Sequence, residues 1–174
     1  MRLGIATSNN LFKLYDVDSD QALDGTVSVD FPELSLQTVE YKGAGVNGTI
    51  NVPIPGLMSA LEVTLNVAKI YGALTDYMSL GQTRTLDLRN DLIVNTGSGM
   101  ERVPERLIIR GPISGASPGN VEQGAASDGS ITIQIRYINY FLDGTEIMEW
   151  DVEKVIHTVR GRDMLADTRR NIGM

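Results

Sequence analysis

The side chains of this chain that could do chemistry are few and widely spaced. His157 is the only histidine and no cysteine is present, so thiolate catalysis, a histidine relay and a cysteine- or histidine-based metal cluster lack their residues. Ser98 and Ser114 lie near glycines, but neither occupies the G-x-S-x-G turn that exposes a nucleophilic serine. The residues therefore predict no catalytic residue, no cofactor and no metal, and we expect a protein that is not an enzyme.

Aspartates recur at every second position from Asp16 to Asp20, as they do at the start of a calcium-binding loop. An EF-hand loop also requires glycine where Gln21 stands, glutamate where Val27 stands, and a helix on each side. None of these requirements is met by the sequence. We interpret the segment as an acidic surface turn.

Residues 43–48 match the dinucleotide-binding pattern G-x-G-x-x-G letter for letter. That pattern binds a pyrophosphate only where the loop opens a helix. Residues 49–55 contain Pro53, Pro55 and several β-branched side chains, so they cannot form that helix. The segment is predicted to be a flexible glycine-rich loop.

Paired carboxylates such as Glu146 and Glu149 could in principle hydrolyse a glycosidic bond. With 22 acidic residues in the chain, such pairs arise by chance. A carbohydrate-binding or adhesin-like β-sandwich is the main alternative function. It would need several aromatic side chains to stack on sugars, whereas Trp150 is the only tryptophan and aromatic residues make up 6% of the chain.

Alternating apolar and polar residues predict that most of the chain forms β-strands. The clearest strand covers residues 60–69, whose inward side chains are predicted to be Leu61, Val63, Leu65 and Val67. A turn is predicted at Asn90-Asp91, and Asp143-Gly144 indicates a hairpin. Further strands are predicted at residues 26–31, 34–41, 83–89, 92–95, 103–113, 130–141 and 146–151.

Helical spacing is confined to two short segments. Residues 70–80 carry Ile70, Leu74, Tyr77 and Met78 on one side, and Asp163 is a candidate N-cap for a helix ending near residue 171. Residues 115–129 are predicted to be a mobile loop, and residues 152–159 fit a strand or a helix. The expected fold is all-β with minor α: two packed sheets, sandwich- or barrel-like, with one internal and one C-terminal helix, in a single domain over residues 1–174.

The formal net charge of −7 disfavours a nucleic-acid-binding role, because affinity for phosphate backbones comes mainly from lysine and arginine. Charges such as Glu62 and Lys69 interrupt each candidate membrane span, and the first residues are too short an apolar run for a signal peptide. We expect no specific nucleic-acid binding, no membrane segment and no export signal.

Several motifs, taken in order along the chain, resemble the major tail tube protein of contractile bacteriophage tails and phage-tail-like bacteriocins. The C-terminal block comprises the hairpin motif at residues 143–147, an acidic strand, residues 161–165 and the terminal residues 169–174. A second block runs from residues 31–34 to 40–48, and residues 10–12 match an N-terminal element. The similarity covers nearly the whole chain.

The resemblance implies a structural subunit that forms hexameric rings, which stack into a hollow inner tube for DNA or ions. Strands from all subunits of a ring would close a continuous inner β-barrel. The implied partners are further copies of the chain, the tail sheath protein, the tape measure protein, and the baseplate and tail-terminator proteins. The implied location is the tail of a virion or of a headless bacteriocin, assembled in the bacterial cytoplasm.

The resemblance also suggests where copies of the subunit touch. An extended loop at residues 43–48 is expected to contact the adjacent ring, because its glycines allow close backbone approach and the neighbouring lysine offers a positive charge. The C-terminal motif supplies the remaining candidates. The predicted contact residues are Lys42, Gly43, Gly45, Asn47, Gly48, Arg169, Arg170 and Asn171.

Overall fold

Antiparallel β-strands dominate the computed structural model, which describes residues 4–42, 47–124 and 127–174. The first half contains β1 (Gly4–Asp16), β2 (Gln21–Ala22), β3 (Thr26–Asp30), β4 (Leu36–Tyr41), β5 (Ile50–Met58), β6 (Leu61–Val67) and a 3₁₀ helix (Gly72–Met78). The second half contains β7 (Thr83–Thr96), β8 (Gly99–Ser117), β9 (Gly129–Ile135), β10 (Tyr137–Leu142), β11 (Thr145–Asp151), β12 (Ile156–Val159), β13 (Arg162–Asp163) and the helix α1 (Ala166–Ile172). The predicted class, all-β with two short helices, is confirmed.

Eleven strands share one hydrogen-bonded antiparallel network, and β4 and β5 form a separate two-stranded sheet. The main sheet has the strand order β13-β12-β11-β10-β8-β7-β1-β2. A back sheet consists of β3, β6 and β9 together with the C-terminal end of β8. The two sheets are therefore joined through β8.

Strand β8 passes from the main sheet to the back sheet near Gly111. Up to Pro112 it pairs with β7, and from Ile113 it pairs with β9. A Cβ atom at Gly111 would overlap the carbonyl group of Gln134, so glycine allows the two backbones to approach closely here. The shift in register between Ile113 and Gly115 marks the same change of direction.

The hydrophobic core lies between the two sheets. The alternation predicted for β6 is confirmed, with Leu61, Val63, Leu65 and Val67 all buried. The main sheet and the 3₁₀ helix cover them with a second set of buried apolar side chains, among them Leu14, Leu74, Tyr77, Leu86, Leu88, Leu107, Ile109, Ile138 and Trp150. Neither helix in the described part of the chain has the length and hydrophobicity that crossing a bilayer requires.

The internal helix exists but is shorter and tighter than predicted. Leu74 and Tyr77 are buried, whereas Met78, expected on the same face, is 52% exposed. A 3₁₀ helix has three residues per turn, so positions three apart share a face and the fourth turns away. The prediction for Met78 was therefore wrong because it assumed the α-helical period.

Three strand boundaries also differ from the prediction. The turn predicted at Asn90-Asp91 is the middle of β7. The predicted long strand 130–141 is divided at Arg136, where β9 ends and β10 begins. The predicted mobile loop 115–129 is shorter than expected, because β8 continues to Ser117 and pairs there with β9.

Candidate assembly surfaces

Strands β4 and β5 form a hairpin whose side chains are largely open to solvent. Every residue of β4 is exposed, and six of the nine residues of β5 are exposed as well. Opposite partners run from Leu36 and Met58 at the base to Tyr41 and Ile50 near the tip. A two-stranded sheet of this kind is only marginally stable alone. The hairpin therefore has the character of a segment that completes its packing against something else.

The hairpin has one apolar face and one polar face. Val39 lies opposite Val52, and Tyr41 lies opposite Ile50, so these four side chains share a face. Their exposed fractions are between 48% and 55%. The other face carries Thr38, Glu40, Asn51 and Pro53. A contiguous apolar stripe on an otherwise unpaired hairpin is typical of a protein–protein contact.

The tip of the hairpin holds part of the predicted contact set. Lys42 is exposed and forms an ion pair with Glu40, with 2.5 Å between Nζ and Oε1. Asn47 and Gly48 are exposed, and Gly48 has a φ of 125° with open space around it. Gly43 and Gly45 lie outside the described residues. The inter-ring role proposed for this loop stays a prediction.

The base of the hairpin is fastened to the C-terminal segment. Gly56 of β5 has a φ of 86°, and a Cβ atom there would overlap the side chain of Leu165. Leu165 is 6% exposed and forms the N-cap position of α1. The leucine thus fills a notch that exists because residue 56 lacks a side chain. The C-terminal helix is docked at the end of the hairpin opposite to its tip.

Arg169 ties α1 to the body of its own subunit. Its Nη1 donates to the carbonyl oxygen of Val155 at 2.8 Å, and its Nη2 donates to Asp163. The hydrogen bond from Arg169 holds the pKa of the Asp163 carboxyl below its usual range. Asp163 is not the N-cap residue that was predicted: Leu165 occupies that position, and the Asp163 Oδ1 accepts a hydrogen bond from the backbone N–H of Leu165 at 2.9 Å.

The other C-terminal candidates are exposed. Arg170 forms an ion pair with Asp167 at 2.8 Å, and Asn171 is exposed. Arg169, in contrast, is engaged inside the subunit. Roles of all three residues between subunits stay predictions. They lie on α1, whose N-cap Leu165 packs against Gly56 at the base of the hairpin, whereas Lys42, Asn47 and Gly48 lie near its tip.

A second open surface was missed by the sequence reasoning. Within the described residues, β1 pairs on one side with β7 along most of its length. On the other side Tyr15 and Asp16 pair with β2, and the Leu14 carbonyl accepts from the backbone of Leu23, so the open edge is the part of β1 before Leu14. Residues 99–103 of β8 pair with β7 alone, because pairing with β10 begins at Glu105 and the Pro104 carbonyl accepts from the backbone of Asp143 in the turn after β10. The distal parts of β1, β7 and β8 thus form a ribbon with two unpaired edges.

The ribbon carries large apolar side chains in the open. Ile5, Leu11 and Met100 are 74–78% exposed. Unpaired strand edges template pairing with another chain unless they are covered. This surface was not predicted, because the turn expected at Asn90-Asp91 divided β7 into two shorter strands. Within the described residues no cluster of three potential metal ligands occurs.

An open apolar hairpin and open sheet edges on a well-packed body define a structural subunit that assembles. The model of the family phage tail tube protein FII matches residues 10–173. The chain belongs to this family and is a structural subunit of a tail tube.

Two curated tail tube proteins are similar over most of their length. The tail tube protein of Escherichia phage P2 is 28% identical over 153 residues, which is 84% of this chain and 86% of the phage protein. The major tail tube protein of Serratia phage KSP20 is 24% identical over 166 residues, which is 95% of this chain and 94% of the phage protein.

Solved structures agree at the level of the fold. The PVC sheath/tube terminator of an extracellular contractile injection system matches with a TM-score of 0.52 at 15% identity, covering 75% of this chain and 92% of that one. The cap of the anti-feeding prophage matches with a TM-score of 0.54 at 13% identity, covering 81% and 93%. A chain of the PVC sheath–tube complex matches with a TM-score of 0.50 at 15% identity, covering 75% and 87%.

Proposed function

We propose that the chain closes into hexameric rings that stack into a hollow tube, a conduit for DNA or ions inside a contractile sheath. The observation that carries this proposal is the apolar face of the hairpin formed by Val39, Tyr41, Ile50 and Val52. Burying such side chains is favourable by about 25 cal/mol for each Å² of apolar surface removed from water. In a tail tube each subunit adjoins further copies of the same chain, so a neighbouring copy can cover this apolar face.

The unpaired ribbon edges support closure into a ring. The edge of β1 lies on one side of the ribbon and the edge of β8 on the other, so the two edges are different surfaces. Contacts between two different surfaces are head-to-tail, and such contacts give rings when the rotation closes. Edge pairing around the ring would join the ribbons into one inner barrel, in which no edge remains exposed.

The partners follow from the same proposal. One similar PVC chain belongs to a sheath–tube complex, a second is a sheath/tube terminator, and the anti-feeding prophage chain is a tube-terminating cap. We infer that this chain likewise meets a tail sheath protein and a tail terminator. Contact with a tape measure protein and a baseplate, and assembly in the bacterial cytoplasm before incorporation into a virion tail, complete the proposal. The role is structural, with no catalytic step.

The decisive experiment alters the apolar face of the hairpin and leaves the subunit core alone. Val39→Ser/Val52→Ser is compared with the control Thr38→Ser/Asn51→Ser, which changes the polar face of the same hairpin. Negative-stain microscopy across protein concentration measures tube formation, and circular dichroism measures the fold. We expect the first variant to keep native circular dichroism and form no tubes, while the control forms tubes. Tubes from the first variant at wild-type concentrations would contradict the role given to this face.

A further inference from the structure

Three cations form a row across the face of the main sheet that points away from the core. Lys13, Arg89 and Arg106 are direct neighbours in register on β1, β7 and β8. Adjacent strands lie about 4.8 Å apart, so the row is compact. Leu88 precedes Arg89 and Leu107 follows Arg106, and both leucines belong to the core. Successive side chains of a strand point to opposite faces, so the cations lie on the face away from the core. We call these three residues the cationic row.

A buried carboxylate holds the two arginines in place. Asp87 is 2% exposed. Its Oδ2 accepts from Nε and Nη2 of Arg89 at 3.0 and 2.8 Å, and Arg106 donates from Nε to Oδ1 at 2.8 Å and from Nη2 to Oδ2 at 2.9 Å. Asp87 thus holds each guanidinium group along one edge through two hydrogen bonds. The side chains remain 59% and 46% exposed, so their other N–H groups face solvent.

An aromatic ring links the lysine to the arginines. The Arg89 Cζ lies 5.0 Å from the centroid of the Tyr15 ring, and the Lys13 Nζ lies 5.6 Å from it. Cations within about 6 Å of an aromatic centroid are attracted to the ring face. Tyr15 therefore restrains both cations without neutralising either of them.

The row keeps a net positive charge although the chain as a whole is acidic. Asp87 pairs with Arg89 and Arg106 but not with Lys13, and the three cations and this one carboxylate together carry two positive charges. The nearby Asp91 is engaged with Arg102, at 3.5 Å. On the far side β10 places Phe141 next to Arg106, and β11 places Glu146, which accepts a hydrogen bond from Asn139, beyond Phe141. One uncharged side chain therefore separates the row from that carboxylate in the register.

The position of the row restricts what can reach it. Arg106 lies on the third strand from the β1 edge, so a copy that pairs with that edge cannot contact all three cations. A ligand must approach the open face of the sheet and carry closely spaced negative charges. Guanidinium groups with free donors on one side suit phosphate oxygens in particular.

We propose that the cationic row binds phosphodiester groups of nucleic acid, without sequence preference, as a weak contact along the conduit. The nucleic acid follows from the proposed tube, whereas the anion site rests on the row alone. Contacts to phosphate groups do not discriminate between base sequences, and each contact makes the affinity for DNA fall more steeply as the salt concentration rises. Two unbalanced charges in an acidic protein give weak binding that holds DNA briefly and releases it, which suits a conduit.

The test uses the full chain and a fluorescent DNA duplex, with anisotropy read across salt concentration. Lys13→Gln/Arg89→Gln removes two cations and leaves Arg106 bound to Asp87, so the carboxylate keeps a partner. The control Lys69→Gln/Arg162→Gln changes the net charge equally, and likewise through one lysine and one arginine, at exposed positions outside the row. Electron microscopy of the same samples reports tube formation separately.

We expect the affinity of the wild type and of the control to fall roughly 12-fold between about 50 and about 200 mM salt, as the two unbalanced charges of the row require. The Lys13→Gln/Arg89→Gln variant should show almost no salt dependence, because Asp87 neutralises the remaining Arg106. Equal salt dependence of this variant and the wild type would refute the site. So would absence of wild-type binding at low salt, or equal binding of polyglutamate, which would identify a carboxylate ligand. If the wild type binds DNA through the row but forms no tubes, the proposed function is refuted and the anion site is not.

Discussion

Strand β6 and the hairpin β4–β5 show similar alternation of apolar and polar residues but meet opposite environments. In β6 the apolar side chains are at most 2% exposed, because the main sheet covers them. In the hairpin the corresponding side chains are about half exposed. Alternation therefore predicts that a face will be buried, but it does not say whether the cover belongs to the same chain. In a subunit that polymerises, part of the apolar surface stays exposed in the single subunit and is buried only on assembly.

The largest effect is expected from a substitution in β6, whose apolar face is buried within the subunit. Leu65→Ala removes a side chain that is 0% exposed, between β3 and β9. The lost burial and the remaining cavity should lower the free energy of unfolding by about 2–5 kcal/mol. Urea denaturation of the unassembled subunit measures the change.

The matched variant in the solvent-exposed hairpin is Val52→Ala. Val52 is 48% exposed, so the free energy of unfolding of the subunit should change by no more than about 0.5 kcal/mol. The critical concentration for tube formation should nevertheless rise. A large loss of subunit stability in Val52→Ala would mean that the hairpin is already packed before assembly.

The contact between the hairpin and the C-terminal segment is tested by Gly56→Ala. The left-handed backbone at this residue, with φ of 86°, disfavours alanine, and the added Cβ would displace Leu165. We expect a loss of about 1–3 kcal/mol and faster proteolysis of the C-terminal segment.

Combining Gly56→Ala with Leu165→Ala separates the two causes of that loss. If the overlap dominates, the second substitution costs less in the Gly56→Ala background than in the wild type. Additive losses would instead attribute the effect to backbone strain alone.

The sequence predicted the body of the fold well because burial and alternation coincide there. The strand β6 and the hairpin at Asp143-Gly144 lie where the pattern placed them. The terminal helix is also present, but its N-cap is Leu165 and not the predicted Asp163. The turn predicted at Asn90-Asp91 fails for a tertiary reason. The Asn90 Nδ2 donates to Glu105 Oε2 at 2.7 Å and to Asn9 Oδ1 at 2.9 Å, so neighbouring strands hold it extended.

The candidate assembly surfaces were only partly predictable. The family resemblance pointed to the hairpin tip and to the C-terminal arginines, but no sequence signal distinguishes Arg169, bound within its subunit, from the exposed Arg170. The cationic row depends on register across β1, β7 and β8, which alternation does not fix. Asp87 and Arg106 are 19 residues apart in the sequence, and only strand pairing brings them together.

A smaller effect is expected from Asp87→Asn on the outer face of the main sheet. Burial opposes ionisation of Asp87, but the hydrogen bonds and charges of Arg106 and Arg89 together outweigh it and hold the pKa of the carboxyl below its usual value. The substitution should cost about 1–2 kcal/mol at neutral pH, at the low end for bonds to charged groups because both arginines are half exposed.

The pH dependence of that loss follows from the direction of the shift. A lowered folded-state pKa stabilises the subunit fully above the unfolded-state pKa of about 3.9, and this stabilisation is lost as the pH falls through the folded-state pKa. The difference between wild type and Asp87→Asn in urea denaturation should therefore be smaller at pH 3 than at pH 7. A difference that grows on acidification would show that Asp87 is not stabilised as a carboxylate.

The smallest effect is expected where α1 is tied to the base of the hairpin. Arg169→Gln removes the bonds to Val155 and Asp163, whereas the control Arg170→Gln removes an exposed ion pair with Asp167. Leu165 still anchors the start of α1, so the thermal midpoint should be unchanged in both variants. Local opening should differ, because an end of a helix without tertiary contacts frays easily. Hydrogen exchange over residues 166–172 should be severalfold faster in Arg169→Gln and unchanged in Arg170→Gln. If the two variants exchange alike, Arg169 does not hold the helix, and Leu165 alone positions the C-terminal segment beside the hairpin.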